Sequence, residues 1–181
     1  MELINSYAIV AYVAGPVARF VDRLRADLSD GIPPHAHITV LPPRPLTCTV
    51  AEATEFANSL LGRFDPIEVR LGAVEVFEQT QVIHLSLASG EEELQALHEA
   101  LNTGLLVGEE PHRYVPHITL GQFLPPETLE QAVEKSQQRW EAAGPMPPLR
   151  IEMATLVQQR ADLRWEDLAE LELGRVARTT V

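Results

Sequence analysis

The sequence predicts an α+β fold made of two similar halves, and three observations carry that reading. Apolar runs rich in β-branched and aromatic residues alternate with segments of helical spacing, joined by short connections. Residues 67–76 and 81–88 form two strand-like runs around a short turn at residues 78–80, a hairpin that demands an antiparallel component. A short pattern occurs twice, as PPHAHITVLPP at residues 33–43 and YVPHITLGQFLPP at residues 114–126. Two copies are too few for a solenoid but suit two lobes related by a pseudo-twofold axis.

The elements follow in order. Residues 7–14 (YAIVAYVA) read as a strand. Val17, Phe20, Val21, Leu24 and Leu28 recur at helical spacing over 16–28, with Pro16 suited to a first turn. Gly31, Pro33 and Pro34 break the chain before a strand at 36–41, which Pro42 and Pro43 are expected to stop. A helix is predicted over 50–63 with Thr49 as N-cap. After the hairpin, Leu94, Leu97, Leu101 and Leu105 share one side of a helix over 91–106, whose acidic start at 91–93 suits the helix dipole. Gly108, Pro111 and Pro116 mark a loop. A strand at 117–123, a helix at 127–142 and a strand at 150–159 follow, and 165–173 is read as a strand although its acidic residues permit a helix. The whole of 1–181 is read as one domain of two intertwined lobes.

Composition narrows the function. Hydrophobic residues at 45% supply a core. The single cysteine, Cys48, excludes an intrachain disulfide or a cysteine-based zinc ribbon. The first residues lack a signal-peptide pattern, and the apolar run at 7–14 is far short of the roughly 20 residues a spanning helix needs. A soluble, cytoplasmic, monomeric protein with no membrane partner is expected. The net charge is −12, with 14 Lys and Arg against 26 acidic residues. A groove tracking long nucleic acid needs many cations, so a small phosphorylated substrate or an RNA end is the expected partner.

The repeat carries the chemistry. Side chains in a strand alternate faces, so His37 and Thr39 share one face while Ile38 and Val40 share the other. The same holds for His117 and Thr119 against Ile118 and Leu120. If both apolar faces are buried under helices, two imidazoles and two hydroxyls converge on one cleft. Histidine serves as general acid or base near neutral pH, and threonine hydroxyls can bond the non-bridging oxygens of a phosphate. Such a site requires neither metal nor cofactor. The competing reading is an inert repeat of strand residues.

At these motifs the sequence resembles a known family. His37-Ile-Thr39-Val and His117-Ile-Thr119-Leu resemble the paired H-x-T/S-x motifs of the two-histidine (2H) phosphoesterases, which include 2′-5′ RNA ligase-like proteins and cyclic phosphodiesterases. YVPHITL and VEVFEQTQVIHLSLA are similar to that family's second motif and central hairpin. The resemblance implies two antiparallel sheets around a central cleft, with helices outside. It implies hydrolysis of a 2′,3′-cyclic phosphate or related cyclic nucleotide, with His117 as base, His37 as acid, and Thr39 and Thr119 on the phosphate. The alternatives are 2′-5′ RNA ligation, or a nucleotide-binding module without turnover. Leu-Pro-Pro after the first motif and Gly121-Gln122 after the second replace basic segments of the ligase-like members, which argues against polynucleotide ligation.

Lesser candidates surround the motifs. His84 alternates with Ile83, Leu85 and Leu87 and falls on the sheet's other face, either as a substrate contact in the cleft or as an ordinary partly exposed histidine. Phe77 and Tyr114 could pack on a base, and Arg44 and Arg113 flank the motifs as candidate phosphate ligands. His35 with His37 has the spacing of a metal pair but lacks a third ligand. His98 reads as a helix-surface residue and His112 as a loop residue.

Overall fold

The computed structural model describes residues 3–28, 35–162 and 164–174. Each apolar run of the sequence becomes a strand and each helical spacing a helix. In chain order they are β1 (Leu3–Tyr12), α1 (Gly15–Leu28), β2 (His37–Arg44), α2 (Val50–Leu61), β3 (Ile67–Phe77), β4 (Val82–Ser89), α3 (Glu91–Leu101), a 3-10 turn (Gly104–Leu106), β5 (Ile118–Gly121), α4 (Pro126–Ala143), β6 (Leu149–Ile151), β7 (Met153–Arg160) and β8 (Trp165–Glu172). Thr49 caps α2 as expected: its hydroxyl accepts from the Glu52 amide at 3.2 Å, and the Glu52 carboxylate accepts from the Thr49 amide at 2.9 Å. Residues 31–34, with Gly31, Pro33 and Pro34, lie outside the described residues.

All registered strand pairs are antiparallel, in the order β6-β3-β4-β5-β2-β1-β7-β8. The two expected half-sheets are therefore joined edge to edge, with the motif strands β2 and β5 adjacent at the seam. The chain runs β1-α1-β2-α2-β3 and then β4-α3-β5-α4 into β6 and β7. Each repeat lends its last strand to the other half: β3 pairs with β4, and β7 pairs with β1. One residue, Glu152, separates β6 on one margin from β7 near the opposite margin. So short a link requires the sheet to curl until its two margins approach.

The curl has an apolar outside and an open inside. Ile9, Ile38, Val40, Ile83, Leu85, Ile118 and Leu120 form one buried cluster with Val21 and Leu24 of α1, Ala57 of α2, Leu97 of α3 and Ala132 of α4. All four helices thus cover the same face. On the other face Ala8, Val10 and Val157 gather into a small cluster, beside Trp165. Among the described residues no helix is long and apolar enough to cross a membrane.

Several boundaries differ from the sequence expectation. Pro42 and Pro43 do not stop β2, because the register steps from Ile9↔Leu41 to Tyr7↔Arg44 and a bulge takes up both prolines, which lack the ladder amide. The helix expected to reach residue 106 ends at Leu101, where Asn102 leaves helical geometry and Gly104 turns to φ +52°. β5 spans four residues because Phe123 adopts φ +56° beyond it. The strand expected over 150–159 is divided at Glu152 between β6 and β7.

His98 is a correction of a different kind. It is 6% exposed, not a surface residue; its Nδ1 donates to the Val40 carbonyl at 2.9 Å, and Nε2 lies 3.2 Å from Glu110. Glu110 also accepts from Arg44, whose guanidinium donates further to Asn102 Oδ1, the Leu106 carbonyl and the Pro42 carbonyl. This network pins the loop ahead of the second motif to the strand of the first. Removing one partner of a buried ion pair leaves the other charge stranded, which costs about 3–5 kcal/mol. Glu110→Leu is therefore expected to lower stability by about that amount in urea unfolding, against less than about 1 kcal/mol for a substitution at the exposed Glu170.

Candidate active site

The seam between β2 and β5 fixes the site. Ile38 pairs with Ile118, and both are fully buried under the helices. By alternation the residues on either side of each isoleucine point to the open face. Antiparallel register then sets His37 against Thr119 and Thr39 against His117. The two histidines are diagonal neighbours, whose Cβ atoms lie roughly 7–8 Å apart in such a ladder, near enough for a single phosphate to meet both rings. On the adjoining strands Tyr12 lies beside His37, Val10 beside Thr39 and His84 beside Thr119.

Backbone carbonyls orient the imidazoles. His37 Nδ1 donates to the carbonyl of His35 at 2.9 Å, and His117 Nδ1 to that of Val115 at 2.7 Å. His84 Nδ1 donates to Val82 at 3.3 Å. In all three the acceptor is two residues upstream. A carbonyl only accepts, so each neutral ring carries its proton on Nδ1 and keeps a lone pair on Nε2. His35 adopts φ +82°, the left-handed region, and in that conformation its carbonyl meets the His37 ring.

Burial lowers the proton affinity of these rings. His117 is pushed down to about 4, chiefly by desolvation; the Val115 carbonyl offsets part of this, and His84 and His37 add to the lowering. His37 is lowered first by burial, against the His35 carbonyl, with Arg25 and His35 lowering it further and Asp22 raising it. His84 is also lowered by burial, offset by the Val82 carbonyl and by Glu75.

Aromatic rings wall the site. Phe77 stacks on His84 with centroids 3.9 Å apart and planes at 13°, and meets His117 nearly edge-on at 4.9 Å. His84 and His117 are 5.2 Å apart. On the other side Tyr12 approaches His37 at 6.4 Å and 89°. Its hydroxyl donates to Asp167 at 2.6 Å, and burial together with that carboxylate raises the phenol above its ordinary range.

The structure thus brings His37, Thr39, His117, Thr119, Phe77 and His84 together and sets others apart. Tyr114 stacks on His98 at 3.9 Å and donates to the Thr39 carbonyl at 2.9 Å, so it supports the motif strand through its backbone. Arg44 was a candidate phosphate ligand, but its guanidinium is tied into the buried network with Glu110. Arg113 is exposed on the loop ahead of the second motif. Sequence reasoning missed Tyr12, Asp167 and Arg25, which reach the site across long chain separations and carry no local motif. No group of three or more metal-ligating side chains occurs among the described residues.

Two histidines and two threonines at the seam of a curled antiparallel sheet define the two-histidine class. The chain belongs to the 2′-5′ RNA ligase superfamily, whose profile matches residues 13–162. It is 27% identical over 122 residues to the "Putative phosphoesterase" of Geobacillus thermodenitrificans (strain NG80-2), covering 66% of this chain and 70% of that protein. Escherichia coli LigT complexed with 3′-AMP superposes with a TM-score of 0.59 at 17% identity, over 93% of this chain and 98% of LigT. LigT complexed with ATP gives 0.58 at 18%, over 95% and 99%. A conserved protein of unknown function from Agrobacterium tumefaciens str. C58 gives 0.59 at 12%, over 92% and 86%. These structural likenesses show a shared fold.

The lowered rings make stability depend on pH. An unfolded chain protonates histidine near 6.5, whereas folded His117 does so near 4. Between those values the unfolded state binds more protons, so stability rises with pH and falls on acidification. Thermal unfolding at intervals from pH 4 to 7 is expected to show that slope, and His117→Asn is expected to flatten it. Ring NMR titration is expected to place all three imidazoles below the ordinary histidine value.

Proposed function

We propose that the protein is a metal-independent phosphoesterase that hydrolyses a 2′,3′-cyclic phosphate, or a related small cyclic nucleotide phosphodiester, by acid–base catalysis at His37 and His117. The observation that carries this reading is the pair of carbonyl-oriented imidazoles on one open face, each beside the other motif's threonine. The relative from Geobacillus bears a phosphoesterase name, and LigT has been crystallised with 3′-AMP, ATP and phosphate, which supports a small phosphorylated nucleotide as ligand.

In the proposed reaction water attacks phosphorus and passes a proton to Nε2 of His117, which its low proton affinity keeps neutral beforehand. The bond from phosphorus to one ribose oxygen breaks, and His37 delivers its proton to that oxygen, leaving a phosphomonoester. Thr39 and Thr119 donate to the non-bridging oxygens, and Phe77 packs against the non-reacting part of the substrate. His37 must be protonated as the substrate reacts, and an anionic phosphate beside the ring favours that form. Ligation of RNA ends would follow the same path with a 5′-hydroxyl attacking phosphorus in place of water, but with Arg44 withdrawn into the network the open face lacks that cation for a polynucleotide strand.

Phosphorus NMR with a panel of 2′,3′-cyclic nucleotides and cyclic ADP-ribose phosphate, in excess chelator, is expected to show turnover. His37→Ala and His117→Ala should each lose on the order of 10²–10⁴ in rate, and the double variant less than the product. Thr39→Val and Thr119→Val should raise KM without moving the pH limbs, and His84→Ala should be milder than either motif histidine. For the free enzyme, kcat/KM should rise through about pH 4 as His117 deprotonates, and the limb on which His37 loses its proton should lie at lower pH than an ordinary imidazole would set it. Wild-type turnover by folded single-histidine variants would end the proposal.

A further inference from the structure

Arg25 lies on α1 with 2% exposure, behind the seam rather than in the open face. Nε and Nη2 both donate to the Thr119 carbonyl, at 2.9 and 2.7 Å. Nη1 reaches the His35 carbonyl at 3.3 Å, the same oxygen that accepts from His37 Nδ1. One guanidinium therefore ties the turn that orients the first histidine to the strand that carries the second motif.

We propose that Arg25 is a positioning residue shared by both motifs, which locks the His35–His37 turn to β5 and holds a cation behind His37 without touching the substrate. A neutral tie would be sufficient for structure alone. The other repeat makes its tie without a guanidinium: α3, the counterpart of α1, reaches across to β2 through His98 and the Val40 carbonyl. Burying a guanidinium without a carboxylate on its donors is costly, yet this site keeps one. No described carboxylate accepts a hydrogen bond from it; the nearby Asp22 instead accepts from the Ala36 amide at 3.1 Å.

The cation breaks the near-symmetry of the two histidines. The groups around His37 are Asp22 and Arg25 from α1, His35 from its own turn, Tyr12 from β1 and His117 just before β5. Arg25 and His35 favour the neutral ring, and Asp22 opposes them. Desolvation lowers Arg25 itself only to about 10, so it stays charged at neutral pH. A proton on His37 is thus held less tightly, which suits a ring that must give it up. A planar fork can serve two carbonyls at once; a lysine ammonium keeps the charge but not the fork.

This inference deepens the proposed function, yet its first readout does not need activity. Ring NMR titration of His37 in Arg25→Met is expected to show a midpoint above wild type, while Arg25→Lys stays near it. In turnover of a 2′,3′-cyclic nucleotide, Arg25→Met should lose up to about 10²-fold in kcat, the scale of a misplaced acid, with KM changed far less. Its alkaline limb should move to higher pH with the His37 midpoint. A folded Arg25→Met with an unmoved midpoint and wild-type kcat would overturn the proposal. If that variant does not fold, Arg25→Gln against Arg25→Lys decides, since only Gln removes the charge; equal His37 midpoints in the two would overturn it. If the wild type turns over no cyclic phosphate, the reaction proposed above fails while the titration still judges Arg25.

Discussion

The pairing of Ile38 with Ile118 holds the two halves of the sheet in one register, and the site inherits its geometry from that pair. Both side chains are fully buried in the cluster that carries the helices. A slip of one residue by either strand would turn its isoleucine into the open cleft and drive that motif's histidine and threonine into the core. Exposing one such side chain forfeits about 1.5–3 kcal/mol, and burying an unpaired polar group adds to it. The packing of residues that never touch a substrate therefore decides where the imidazoles stand.

Connectivity reinforces this dependence. Because β3 and β7 are exchanged between the repeats, neither half-sheet is completed by one stretch of chain. The ties across the seam follow the same logic, with α1 reaching β5 through Arg25 and α3 reaching β2 through His98. Tyr114 adds a third tie, from the loop before the second motif to the first motif strand. A site assembled at such a seam exists only when both repeats are folded against each other, which keeps two residues distant in sequence in fixed relation.

What could be read from the sequence was what is local. Two copies of His-apolar-Thr-apolar reveal their faces through alternation alone, and His84 follows by the same rule on its own strand. Helix α2 announced itself through its N-cap, Thr49. The prolines misled because their effect depends on a partner: opposite the step from Ile9 to Tyr7, β2 can bulge and continue. His98 looked like a surface residue because its acceptor, Val40, lies 58 residues away. Tyr12 and Asp167 are 155 positions apart, and Arg25 and Thr119 are 94. No periodicity within one element carries such pairings, so a buried cation on a helix and a tyrosine at a strand end pass for ordinary residues until the sheet order is known.

The electrostatics of the open face follow from the same placement. Desolvation lowers all three imidazoles below their ordinary value, so near neutral pH they carry little charge. The chain as a whole bears a net charge of −12. An anionic substrate is thus not drawn in by a standing field of cations, as a polynucleotide would require. A phosphate that reaches the seam instead raises the proton affinity of the rings it touches, since an adjacent negative charge favours imidazolium. In the proposed reaction the acid is then charged mainly when its target is in place, and binding and proton uptake become one linked event. A single compact phosphate lying between His37 and His117 gains fully from that linkage. Further phosphates along a strand would gain nothing from the two rings.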